Sequence, residues 1–178
     1  MTSSGLDEVR TALAAHLTRL WRYGLVLSRR RDLAEDLVQA TCLRALERAD
    51  QYRAGTRIDR WLFAILHSIW LNEVRALRVR LGEGQVDSEA ALTFDGAAQI
   101  ETGVLAAQVL REVAALPDGQ REAVFLVYGE GWAYREAAAI LDVPIGTVMS
   151  RLAAARATLA KHMRADASQD IPPEVGHP

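Results

Sequence analysis

The chain has 178 residues, half of them apolar, with 21 basic against 23 acidic side chains, a formal charge of −2 and one cysteine. That supports one medium domain or two small ones. Abundant alanine, leucine and arginine favour helix, with no competing strand pattern. Cys42 alone cannot form an internal disulfide. His16, His67, His162 and His177 are scattered without cysteine partners, so no metal and no cofactor is expected. Apolar stretches such as Trp61 to Leu66 fall far short of the roughly 20 residues that cross a bilayer. Residues 1–8 lack the basic flank and apolar run of a secretory signal. The expectation is a cytoplasmic protein with no membrane insertion. No nucleophile–base pair, phosphate-cradling glycine loop or metal cluster suggests an enzyme.

Near-neutral charge conceals a segregated distribution. Residues 1–31 carry six arginines against Asp7 and Glu8, and residues 51–80 carry six against Asp59 and Glu73. Residues 144–164 hold Arg151, Arg156, Lys161 and Arg164 with no acid, whereas 81–122 hold eight acids against Arg111 and Arg121. Such separation suits a molecule whose faces meet phosphate and something else; solvated helix surfaces are the alternative for any single cluster.

In chain order, a helical block is expected from 8 to 80, broken near Arg29 to Asp32 and again at Asp50 to Thr56, where Gly55 interrupts the apolar period. Residues 81–104 place Gly82, Gly84, Gly96 and Gly103 among acids and small polar side chains, a flexible acidic linker. A second helical block should span 105–163, and 164–178, with Pro172 and Pro173, should be a disordered tail. The fold class is all-α: two small helical bundles on a tether.

On a helix over 32–49, Leu33, Leu37, Val38, Cys42, Ala45, Leu46 and Ala49 form the expected buried arc. Opposite lies an acidic stripe of Asp32, Glu35, Asp36, Gln39 and Glu47 with Leu43 inside it. That pattern is either an ordinary solvated face or a docking surface for a basic partner. Between 52 and 80, Trp61, Ile65 and Ile69 recur at helical spacing and belong mainly to a core. What cannot all be buried is Tyr52, Arg53 and Arg57 in the loop and Ser68, Asn72, Arg75 and Arg78 along the helix. Arginines interleaved with aromatic and amide side chains suit single-stranded nucleic acid, because bases stack on rings while guanidinium groups hold phosphate. A small loop pocket could hold one flipped base.

The stretch from Leu116 to Leu159 reads as a helix-turn-helix, with Ala137, Ala138 and Leu141 facing a second helix whose buried stripe is Val148, Leu152, Ala155 and Leu159. Thr147, Met149, Ser150, Arg151, Ala153 and Arg156 are the candidate DNA contacts on that second helix. Few of them can hydrogen-bond a base edge, so phosphate contacts and DNA shape are expected to dominate.

Taken together, these segments resemble the extracytoplasmic-function group of bacterial sigma factors over nearly the whole chain. Asp32 to Gln39 resembles the region-two helix that docks on core RNA polymerase. Trp61 to Arg75 resembles the helix that melts and reads the −10 element, and Tyr52 to Asp59 the loop that captures a flipped base. Leu116 to Leu159 resembles region four, which reads the −35 element. Four positions depart from the pattern: Ser68 stands for a frequent asparagine, Met149 for a basic residue, Asp142 for a turn glycine and Ala133 for a serine or threonine. Asp142 can still enter the left-handed region, whereas Ala133 forgoes an N-cap worth about 1 kcal/mol. The resemblance implies core RNA polymerase, promoter DNA and an anti-sigma factor as partners. A stand-alone helix-turn-helix regulator and a sigma mimic that only sequesters an anti-sigma factor are the alternatives.

Overall fold

The computed structural model describes residues 3–53, 55–80 and 111–169, without the side chains of 3, 4 and 162–169. The helices are α1 (Ser3–Ser28), α2 (Arg31–Glu47), α3 (Ile58–Arg80), α4 (Asp118–Val124), α5 (Tyr134–Leu141) and α6 (Ile145–Gln169). A π-turn over Phe125–Gly129 follows α4, and residues 111–115 are also helical. The acidic linker expected at 81–104 lies outside the described residues, as does the tail from 170. The last helix continues to Gln169, past the expected end near 163.

The first half is a three-helix package whose corners are set locally. α1 ends where Arg29 turns left-handed at φ 56°. The Ser28 hydroxyl lies 2.8 Å from the Gly24 carbonyl and accepts the Arg30 N–H, filling the groups that a helix end leaves bare. α1 and α2 then approach closely. A Cβ on Gly24 would stand 3.2 Å from the Ala34 backbone, so only small side chains fit the crossing. The buried face of α2 differs in part from the expected arc. Ala34 and Thr41 join Leu37 and Ala45 in the interior, while Leu33, Val38, Cys42 and Leu46 are only half-buried. The Thr41 hydroxyl is satisfied by donating to the Leu37 carbonyl at 2.7 Å.

The second half is the helix-turn-helix. Pro117 opens α4, its carbonyl accepting the N–H groups of Gln120 and Arg121. α5 and α6 meet at 104°, within the range of such units. Asp142 closes α5 in the left-handed region at φ 51°, and the Val143 N–H donates to the Ala138 carbonyl at 3.1 Å. The turn forms with aspartate where glycine is usual.

The two halves pack on each other through one continuous core. The Tyr23 ring of α1 stacks with Phe63 of α3 at 5.2 Å and with Phe125 of the π-turn at 5.7 Å between centroids. Phe63 meets Trp132 edge-on at 5.7 Å. Buried polar groups stitch the seam as well. Arg121 is 3% exposed and donates to the Val26 carbonyl of α1 at 2.7 Å and to the Leu116 carbonyl at 2.9 Å. Burial, chiefly, lowers its guanidinium pKa, and Arg29 adds to that. Among the described residues, no single helix is long and apolar enough to cross a membrane.

The Tyr23 hydroxyl is buried without a hydrogen-bond partner. Burial, foremost, raises its pKa well above the ordinary value, with Glu122 acting in the same sense. Leaving such a group unsatisfied costs about 1–3 kcal/mol. Tyr23→Phe should therefore match or exceed the native chain in urea-unfolding free energy, whereas Tyr23→Ala should lose about 3–5 kcal/mol by opening a cavity. Equal losses in the two variants would show that the hydroxyl is bonded after all.

Candidate nucleic-acid interface

Three surfaces emerge from this scaffold. The first is the outer stripe of α2, where Asp32, Glu35, Asp36, Gln39, Leu43 and Glu47 are all exposed. Leu43 is 61% exposed, an apolar side chain ringed by acids. Two of those acids are met locally. Arg30 pairs with Asp32, whose carboxyl it holds below the usual range, and Arg31 lies 3.4 Å from Glu35. Among the described residues, Asp36 and Glu47 have no such partner. The stripe was readable from helical periodicity alone.

The second surface is the loop before α3 and the start of that helix. Here a cavity of about 280 Å³ is lined by Tyr52, Arg53, Thr56, Arg57, Arg60 and Trp61, among others. Tyr52 departs from expectation. It is 9% exposed rather than a free loop aromatic, because its hydroxyl donates to the Thr56 carbonyl at 2.8 Å and its ring lies 5.5 Å from that of Trp61. Glu8 of α1 is within 3.2 Å of the same hydroxyl. Tyr52 thus shapes the pocket wall. Arg53 is exposed, and Arg60, not anticipated, joins the lining one helical turn after Arg57. Ser68, Asn72, Arg75 and Arg78 are exposed farther along α3, and Arg75 donates to Asn72 Oδ1 at 3.3 Å.

Arg57 is half exposed and heavily engaged. It pairs with Asp59 at 2.9 Å and with Glu136 of α5 at 2.8 Å, and its guanidinium lies 4.4 Å from the Trp132 ring centroid. Burial pushes the Asp59 carboxyl upward, but hydrogen bonds from Arg57 and from the Arg60 N–H together hold it below the usual range. Ala139 of α5 forms part of the cavity wall. The contribution of the second half to this pocket was invisible in the sequence.

The third surface is the start of α6. Met149, Ser150, Ala153 and Arg156 are exposed, with Met149 at 53%. Thr147 is half-buried, and the Ser150 hydroxyl donates to its carbonyl at 3.0 Å. Arg151 does not project with them. It is half-buried against Gly119, where a Cβ would come within 2.9 Å of its guanidinium. Exposed Tyr134 and Ile145, not singled out from the sequence, add apolar surface to the unit.

Comparison with known proteins identifies the family of each half. Residues 12–80 match the Sigma-70 region 2 family and residues 106–159 the Sigma-70, region 4 family. The chain is 33% identical over 172 residues to the ECF RNA polymerase sigma factor EcfG of Rhodopseudomonas palustris (strain TIE-1), spanning 94% of this chain and 92% of that protein. The chain belongs to the ECF RNA polymerase sigma factors. It is also 33% identical over 153 residues to SigC of Mycobacterium tuberculosis, covering 85% of this sigma factor and 78% of that one. Among solved structures, the sigma factor RpoE in complex with the anti-sigma factor NepR from Bartonella quintana aligns with a TM-score of 0.72 at 29% identity, over 90% of this chain and 99% of that one. The PhyRSL–NepR complex from Sphingomonas sp. Fr1 aligns with a TM-score of 0.59 at 25% identity, over 93% and 94% of the two chains.

Glu136 has two tasks in this sigma factor. One carboxylate oxygen accepts from Arg57, and the other accepts the Ala133 N–H at 3.1 Å, the half of a capping box that remains without an N-cap hydroxyl. Glu136→Ala should therefore lose about 1 kcal/mol for the helix end plus up to about 1 kcal/mol for the part-exposed pair. Glu136→Gln, which keeps an acceptor, should lose less. A double-mutant cycle with Arg57→Ala in urea unfolding checks the pair; zero coupling would mean that it does not form in solution.

Proposed function

We propose that this sigma factor docks on core RNA polymerase through the α2 stripe of Asp32, Glu35, Asp36, Gln39, Leu43 and Glu47, and then reads two promoter elements. The observation that carries the assignment is the exposed Leu43 set among acids on α2, a helix that packs chiefly on α1 and α3. Leu43 gives a docking helix an apolar anchor, and the surrounding acids select a basic surface and orient it. The first unit, 8–80, engages the −10 element through Arg53, Arg57 and the Tyr52–Trp61 pocket, with Ser68, Asn72, Arg75 and Arg78 following the strand. The second unit, 105–163, engages the −35 element through Thr147, Met149, Ser150, Arg151, Ala153 and Arg156, the tether 81–104 setting the reach between them. Arg151, lying on Gly119, would leave that contact to reach DNA. The chain works where polymerase and chromosome are, in the cytoplasm.

An anti-sigma factor completes the picture. RpoE, similar to this chain along nearly its full length, is held by the anti-sigma factor NepR, and we infer a partner of that kind here. It would control a chain that itself performs no covalent chemistry.

Run-off transcription with purified core polymerase tests the reading, and product should appear only when the chain is added. Asp36→Arg places a positive charge at the centre of the stripe and should abolish core binding in a pull-down without altering the unfolding midpoint. Normal binding by that variant would remove the stripe from the docking surface.

For the −35 unit, Arg156→Ala in the polymerase-bound chain should weaken promoter binding alike across substituted duplexes and lower the salt slope by about 1, as for a phosphate contact. A loss confined to one base position would instead make Arg156 a base reader.

A further inference from the structure

The outward face of α6 is apolar where the helix begins. Ile145, Met149 and Ala153 stand four residues apart and so share one side of the helix, and all three are exposed, Met149 at 53%. Ala157 continues the row. From Ile145 to Ala153 the row is about 12 Å long at 1.5 Å per residue, the length of three to four stacked bases at about 3.4 Å each. Open space lies beside it, because a Cβ on Gly146 would meet nothing within 4 Å.

The polar groups of the same helix are engaged elsewhere. The Ser150 hydroxyl donates to the Thr147 carbonyl at 3.0 Å, and the Thr158 hydroxyl donates to the Ala154 carbonyl at 3.1 Å. Thr147 is half-buried, and Arg151 lies against Gly119. No asparagine, glutamine, aspartate or glutamate stands between 145 and 161 to pair with an adenine or cytosine edge. The exposed charges over that span are Arg156 and Lys161, both positive and both beyond Ala153. An apolar row followed by cations and free of carboxylates complements a groove with phosphates along its rims and methyl groups on its floor. That charge pattern favours DNA over a protein partner for this face.

Thymine is the one base that presents a methyl group in the major groove. The Met149 thioether, unbranched and polarisable, suits such a contact, and the small side chains at 153 and 157 let the helix lie close to the bases. We propose that Met149 reads the 5-methyl group of a thymine in the upstream promoter element, Ile145 and Ala153 extending the same apolar contact to neighbouring bases. The proposal rests on the −35 assignment made above and adds the chemical group that is read. A methyl, rather than a hydrogen-bonding base edge, is the feature that this helix discriminates.

Deoxyuridine tests this, because it differs from thymidine only in lacking the methyl. Holoenzyme assembled from core polymerase and the native chain first selects duplexes from a library randomised over the upstream element. Each thymine of the best selected duplex is then replaced singly by uracil. At least one replacement should weaken binding by the native holoenzyme about fourfold, the effect of leaving one methyl in water. The same replacement should make no difference to holoenzyme carrying Met149→Ala, a change at an exposed side chain, whereas Met149→Leu should keep most of the penalty. Uracil tolerated at every position by the native holoenzyme would overturn the proposal, as would a selected element with no thymine on either strand. An equal uracil penalty in the native and Met149→Ala proteins would overturn it too, since another group would then hold the methyl. A Met149→Ala chain that binds duplexes as the native chain does, yet loses core polymerase in a pull-down, would make the row a protein-docking face instead. A native holoenzyme that enriches no sequence over the upstream element would refute the −35 assignment itself, and the methyl contact with it.

Discussion

The arrangement of the molecule depends on the Tyr23 ring, which belongs to α1 yet stacks with Phe63 from α3 and Phe125 from the second half. Aromatic stacking of this kind contributes about 0.5–1.5 kcal/mol per pair beyond area burial, and the Tyr23–Phe125 and Phe63–Trp132 pairs join the halves. Its consequences spread along the seam. With Phe125 fixed on Tyr23, the π-turn delivers Glu130 to Arg19 and Trp132 to Phe63, and α5 follows with Glu136 over Arg57. The placement of Glu136 beside Arg57 thus follows packing around Tyr23, more than one helix away.

The charge segregation visible in the sequence gains a second meaning from this packing. Arginines concentrated in the first half look like a phosphate-binding surface, and Arg53, Arg75 and Arg78 remain exposed as such a surface requires. Arg19, Arg29 and Arg57, however, are matched by Glu130, Asp118 and Glu136 of the second half. The acids of one half complement the bases of the other at short range. Part of the positive charge of the first half is thus paired within the chain.

How much of this could be read beforehand depended on how local the determinant was. Helices, both corners and the left-handed Asp142 turn follow from periodicity and single-residue backbone preferences. The exposed stripe on α2 needed nothing beyond a helical wheel. On the buried face of the same helix Leu37, Ala45 and Ala49 were read as buried and are, whereas Ala34 was missed, because Gly24 of another helix brings the crossing close at that residue. Tyr52 and Arg151 were misplaced for the same reason: a loop aromatic was folded back on Thr56 and Glu8, and an arginine was drawn onto Gly119. Docking of the halves was the least legible feature. Its contacts join residues such as Arg19 and Glu130 across more than a hundred positions, and no periodicity reports on a pairing of that range.

The exposed start of α6 offers Met149 and Ala153 where a base-reading helix would present amides or guanidinium groups. Under the proposed promoter reading such a face adds little discrimination by itself. Selectivity would then come from engaging both halves on one DNA, at a separation that polymerase sets.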